Sequence, residues 1–246
     1  DLHAAGRSAH RRLHHRPLRL IEERSMMTNT RAHFTRALAN LQEQVLELGS
    51  RARRAVADGL TALVNGDADL ARETIAADVD INRLRYDIEF ECYSLLVTEQ
   101  PVASDMRAIV AALILVGELE RIADHGKKIA GTYLRMIHDP RPIALGEVPA
   151  LGELSLAMVD QALRAFANRD IAAAEAICRA DDQADAQYKR VFNAIVQQMV
   201  EDPQRIGAGT HLIGIAHELE RVADRATNVA ERVIYTVTGE LIDLNL

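Results

Sequence analysis

Between Phe34 and Leu48 the apolar residues recur through Leu38, Leu41 and Val45 in steps of four and three, the spacing of one face of an α-helix. The same period, broken by turn signals, predicts six helices along the chain. The first runs from Thr28 to about Val64 and stops at Asn65-Gly66-Asp67, a turn and cap signal. The second runs to about Thr98, where Glu99-Gln100-Pro101 breaks it, and the third covers about 103–137. The Pro-rich segment that follows has no period, and residues 139–149 read as a linker. Three more helices are expected over about 150–167, 170–200 and 205–238, separated by Asn168-Arg169-Asp170 and Glu201-Asp202-Pro203.

The pattern repeats. Asn65-Gly66-Asp67 corresponds to Asn168-Arg169-Asp170, Asp78 to Asp181 and Asn82 to Asp185, all at one offset. The segment GELERIADHGKKIA (117–130) returns as HELERVADRATNVA (217–230). The predicted fold is therefore all-α, with two pseudo-symmetric three-helix bundles, each up-down-up, over residues 28–138 and 150–240.

Composition narrows the chemistry. The 246 residues are 48% apolar but only 4% aromatic, with no Trp, a helix-rich usage with almost no sheet expected. The longest uncharged apolar run, 108–117, is about half of a bilayer span, so a soluble chain is expected. A net charge of −7 with scattered basic residues argues against nucleic acid. Cys92 and Cys178 lie in helical patterns without metal spacing and read as buried thiols of a reducing compartment. Residues 1–25 are rich in Arg and His and lack periodicity; with Met26-Met27 just after them, they read as a disordered or added tail.

The repeated segments place two acids four residues apart. In an antiparallel hairpin, residues at one level have position numbers with a constant total. Asp78 with Asp124, and Asn82 with Glu120, share one total; Asp181 with Asp224, and Asp185 with Glu220, share another, each centred near a proline-marked turn. One acid pair on a helix is ordinarily a solvated face, but matched pairs in both halves predict two clusters of oxygen ligands for a cation. A di-iron oxidase would place His three residues after Glu120 and Glu220, where Ala123 and Ala223 stand. His125, His211 and His217 read as polar surface residues, and Arg121 and Arg221 as surface partners of Glu118 and Glu218. No phosphate loop, nucleophile elbow or zinc motif is present, so no enzyme constellation is expected.

QPVASDMR, ELERIAD, ELERVAD with Asn228 beyond it, the two turn tripeptides and the duplicated six-helix layout together resemble the PhoU family over roughly residues 28–240. The resemblance implies two three-helix bundles whose D/E-xxx-D motifs hold iron or other divalent metal (Fe, Mn, Zn or Mg). It would assign Asp78, Glu120 and Asp124 to one site, with Asn82 standing where the motif has an acid, and Asp181, Asp185, Glu220 and Asp224 to the other. It further implies a cytoplasmic homodimer, touching the membrane only indirectly. Its role would be to repress phosphate-starvation signalling between a phosphate ABC transporter's ATPase and a sensor histidine kinase. A metal-storage or redox carboxylate protein is the alternative expectation.

Overall fold

The computed structural model of the chain describes residues 16–240, with side chains from residue 31. It contains six α-helices and, among the described residues, no strand: α1 Arg16–Asn65, α2 Ala68–Thr98, α3 Ser104–Met136, α4 Val148–Asn168, α5 Ile171–Glu201 and α6 Ile206–Thr238. The single 3-10 turn Pro203–Arg205 leads into α6. Two compact units are distinguished, Asp1–Asn40 and Leu41–Leu246; among the described residues the first contributes the leading turns of α1, and the second contains the rest of α1 and the other five helices.

The tail expectation divides. Residues 1–15 lie outside the described residues, whereas 16–25 are helical and carry α1 further back than Thr28. Pro17 stands at the start of α1, where a missing N–H costs nothing, and Leu, Arg and Glu, all good helix formers, follow it.

Within the second unit the turn tripeptides act as equivalent caps. The Asp67 carboxylate accepts from the N–H groups of Asp69 and Leu70, and that of Asp170 accepts from Ala173. Each turn needs a left-handed residue, supplied by Gly66 in the first half (φ 72°) and by Arg169 in the second (φ 53°).

α3 and α6 form the spine and lie along one another. Leu115, Leu119, Ile122 and Ile129 of α3, and Leu212, Ile215, Leu219 and Val222 of α6, are almost wholly buried. Each such side chain contributes about 1.5–3 kcal/mol. α2 packs on α3, while α4 and α5 pack on α6. The two halves meet in an inverted sense. A methyl on Gly49 of α1 would strike Leu163 of α4, and one on Gly152 of α4 would strike Leu60 of α1, a reciprocal contact between equivalent residues. α1 also meets α3 backbone to backbone, since a Cβ on Gly126 would come within 2.5 Å of Ala55. The linker is fixed to the second bundle by paired hydrogen bonds between Ala144 and the Gln198 amide and by Arg141 donating to Gln204.

Candidate metal centre and its lysine-filled counterpart

The ELER segments lie at the middle of α3 and α6, and their two acids do different work. The first acid of each joins the halves. Glu118 accepts from Arg225 Nη1 at 3.1 Å and Asn228 Nδ2 at 3.0 Å on α6. Glu218 lies 2.5 Å from His125 Nδ1 on α3. The position numbers of Glu118 with Arg225 and of His125 with Glu218 have the same total, so α3 and α6 run antiparallel and the two clamps are equivalents. The surface reading of Glu118, Glu218 and His125 is thereby corrected; Arg121 does pair with Glu118 at 3.0 Å from the exposed side, whereas Arg221 turns to Asp224 rather than Glu218. Glu118 and Glu218 are 14% and 22% exposed, and His125 is buried. Burial pushes the Glu218 carboxyl up, but its hydrogen bond to His125 and the nearby His125, Lys128 and His217 charges outweigh that and hold it below its ordinary value.

The second acid and the aspartate four residues on face the neighbouring helix of the same half. In the first half the predicted set gathers around cations the chain itself supplies. Lys127 Nζ donates to Asp78 Oδ2 at 2.7 Å, and Asn82 Nδ2 donates to the same oxygen at 3.0 Å. Lys128 pairs with Asp124 at 2.9 Å, and Arg85 with Glu120 at 3.6 Å. The bond to Asp78 raises the Lys127 ammonium above its ordinary value; burial opposes this, and the Asp78, Asp124 and Glu120 charges reinforce it. The charges of Asp78, Asp124 and Glu120 thus all act on the ammonium of Lys127, but the oxygens of the three acids do not close to within 4.8 Å of one another.

In the second half no lysine among the described residues donates a hydrogen bond into the corresponding acids as Lys127 does to Asp78. Carboxylate oxygens of Asp185, Glu220 and Asp224 lie within 4.8 Å of one another, the only such group of three among the described residues. Asp181 is beside them but outside that group. Burial pushes its carboxyl up to about 6, with the Asp224, Asp185 and Asp182 charges adding. Burial pushes Glu220 up to about 7, reinforced by Asp224 and Asp185 and partly offset by Arg221. Asp224 is also raised, first by burial, with Arg221 opposing and Asp185 adding. Asp181 Oδ1 and Glu220 Oε2 are buried with no hydrogen-bond partner; His217 Nδ1, 3.3 Å from the latter, makes an ion pair only when protonated. Arg221 and Lys189 stay at 3.7 and 3.8 Å from Asp224 and Asp185, at the rim.

The cause of this difference is a pair of residues the acid spacing alone does not reveal. Lys127-Lys128 correspond to Thr227-Asn228 when the repeated segments are aligned. Thr227 is buried and turns its hydroxyl back to the Asp224 carbonyl, and Asn228 serves the clamp to Glu118. A half-buried group of acids with two buried oxygens lacking donors fits a hard cation. Three carboxylates already holding lysine and arginine fit one less well. The two cysteines are free, Cys92 buried and Cys178 half-buried rather than buried as expected, and burial pushes their thiols up to about 12 and 11, which keeps them in the less reactive thiol form.

Comparison with known proteins follows the duplication. The model of the PhoU domain matches twice, over residues 45–132 and 148–233. A phosphate-specific transport system accessory protein PhoU homolog of Clostridium acetobutylicum is 33% identical over 217 residues, covering 88% of this chain and 99% of its own. The Pseudomonas aeruginosa homolog is 33% identical over 221 residues, 89% of this chain and 91% of its own. The crystal structure of PhoU from Pseudomonas aeruginosa superposes with a TM-score of 0.80 at 34% identity, covering 84% of this chain and all of that one. The phosphate transport system regulatory protein PhoU from Streptococcus pneumoniae superposes at 0.79 and 31% identity, over 85% and 99%.

Proposed function

The chain belongs to the PhoU family, and from that premise we propose that it is a non-enzymatic regulator that restrains phosphate uptake and represses the phosphate-starvation response. It works in the cytoplasm as a homodimeric adaptor between the ATPase of a phosphate ABC transporter and a sensor histidine kinase. The observation that carries this reading is the double family match laid over both three-helix bundles, with relatives named phosphate-specific transport system accessory proteins covered almost end to end. No helix among the described residues is long and apolar enough to cross a membrane, which suits a protein that reaches the membrane through its partners.

The regulator carries a divalent or iron ion at the second cluster, held by Asp185, Glu220 and Asp224 with Asp181 alongside. The donors are all oxygen, which suits Mg, Mn, Fe or Zn and disfavours soft ions. At the first cluster, Asp78, Asn82, Glu120 and Asp124 accept a metal only if Lys127 and Lys128 swing away. The ion supplies charge neutralisation; the residues supply the volume that keeps α5 and α6 in register.

The test is genetic. Deleting the gene in its host is expected to raise a phosphate-regulon reporter in phosphate-rich medium, and the intact gene should restore repression. Unchanged reporter output in the deletion strain contradicts the regulatory reading. A Glu220→Ala, Asp224→Ala gene that restores repression in full removes the metal from the mechanism and leaves the adaptor.

A further inference from the structure

α2 has a second face. Its buried side, through Ile81, Ile88, Cys92 and Leu95, packs against the bundle. Roughly opposite on the helical wheel, Val79, Tyr86, Phe90, Tyr93 and Val97 fall within an arc of about 60°. All five are 53 to 78% exposed. Their steps of seven, four, three and four are those of a coiled-coil seam, a stripe narrow enough for one partner helix to cover. Single exposed apolar residues mean nothing, but a row of five at seam spacing does.

We propose that this stripe is the surface through which two copies of the chain associate, α2 against α2 in antiparallel two-fold packing. The spacing is self-complementary in that direction. When Val79 stands level with Val97 of the second copy, Tyr86 stands level with Phe90 and Arg83 with Tyr93, and each contact recurs across the dyad. Arg83, exposed and paired with Asp80 at 3.3 Å, then lies over an aromatic ring. A parallel pair would set Arg83 on Arg83 instead. An anionic lipid surface is disfavoured, because α2 carries seven acidic residues against three arginines. The same acids oppose each other in the pair, so salt strengthens it. Five side chains fall short of the roughly 800 Å² per partner of a standard interface, and the dimer is therefore weak and concentration-dependent.

This rests on the homodimer reading above and names its surface. Sedimentation equilibrium of the full chain over a thousandfold range of concentration, at low and high NaCl, is the test. Mass rising from monomer to dimer, more steeply in high salt, is expected, with Phe90→Glu weakening association at least about tenfold. Phe90 is solvent-facing, so an unchanged circular dichroism spectrum and melting point check that the variant folds. A chain carrying both Val79→Cys and Val97→Cys should oxidise to a covalent dimer, whereas Val79→Cys alone should not. A dimer unaffected by Phe90→Glu, or one cross-linked by Val79→Cys alone, overturns the interface but keeps the homodimer. A monomer at every concentration overturns both, and binding of that monomer to vesicles of neutral lipid would assign the stripe to a membrane surface.

Discussion

Lys127 separates two acid clusters that the repeated motif makes look alike. Its ammonium hydrogen-bonds a mostly buried Asp78, so replacing Lys127 and Lys128 by Met leaves Asp78 and Asp124 without their cations. A loss of about 1–3 kcal/mol is expected in chelator, read as a lower urea midpoint. The second cluster responds in the opposite direction. Asp181 and Glu220, at about 6 and about 7 against ordinary values of 3.8 and 4.5, are protonated more readily folded than unfolded. Their stability contribution is complete below the unfolded values and is lost as pH rises through 6 and 7. Glu218, held low, runs the other way: its contribution is present above its unfolded value and is lost in acid. In chelator, Glu220→Gln should therefore stabilise the protein by roughly 1–2 kcal/mol at about pH 8, a figure discounted for the solvent that still reaches the group. Near pH 4 it should change nothing. Equal melting-temperature shifts at both pH values would show that Glu220 is not a crowded buried acid.

At the scale of elements, α1 and α3 approach too closely for any side chain at Gly126, where an added methyl meets the Ala55 backbone, which cannot yield. Gly126→Ala should cost about 1–3 kcal/mol in chemical denaturation. Gly49→Ala meets only the end of the Leu163 side chain and should cost less. Equal losses would place the strain elsewhere. Most of this level could be read in advance: the helix period, Asp67 and Asp170 as caps and Pro101 as a breaker all act through neighbours in sequence. The start of α1 was hidden because residues 16–25 form helix without an apolar period. The backbone contact at Gly126 was hidden because it depends on a residue far along the chain. The left-handed Arg169 shows that the second turn keeps its geometry without the glycine of the first.

For the molecule as a whole, duplication underlies the six-helix layout, and the constant position totals anticipate the gathering of Asp185, Glu220 and Asp224, whereas in the first half the equivalent acids pair singly with Lys127, Lys128 and Arg85. What the totals could not supply was charge balance. Aligning the two ELER segments sets Lys127-Lys128 against Thr227-Asn228, but only the structure shows that the ammonium groups turn into the acids. The clamps of Glu118 on Arg225 and Glu218 on His125 were equally out of reach, since they join helices whose pairing no hairpin dictates. The central claim is that one half holds a cation site and the other holds lysine in its place. The most direct measurement is calorimetric titration of the metal-free full chain with Mn²⁺. The parent should show one tight class of site, absent from Glu220→Ala, Asp224→Ala and retained by Glu120→Ala, Asp124→Ala. Binding by all three proteins alike, or loss only in the Glu120 and Asp124 variant, would contradict it.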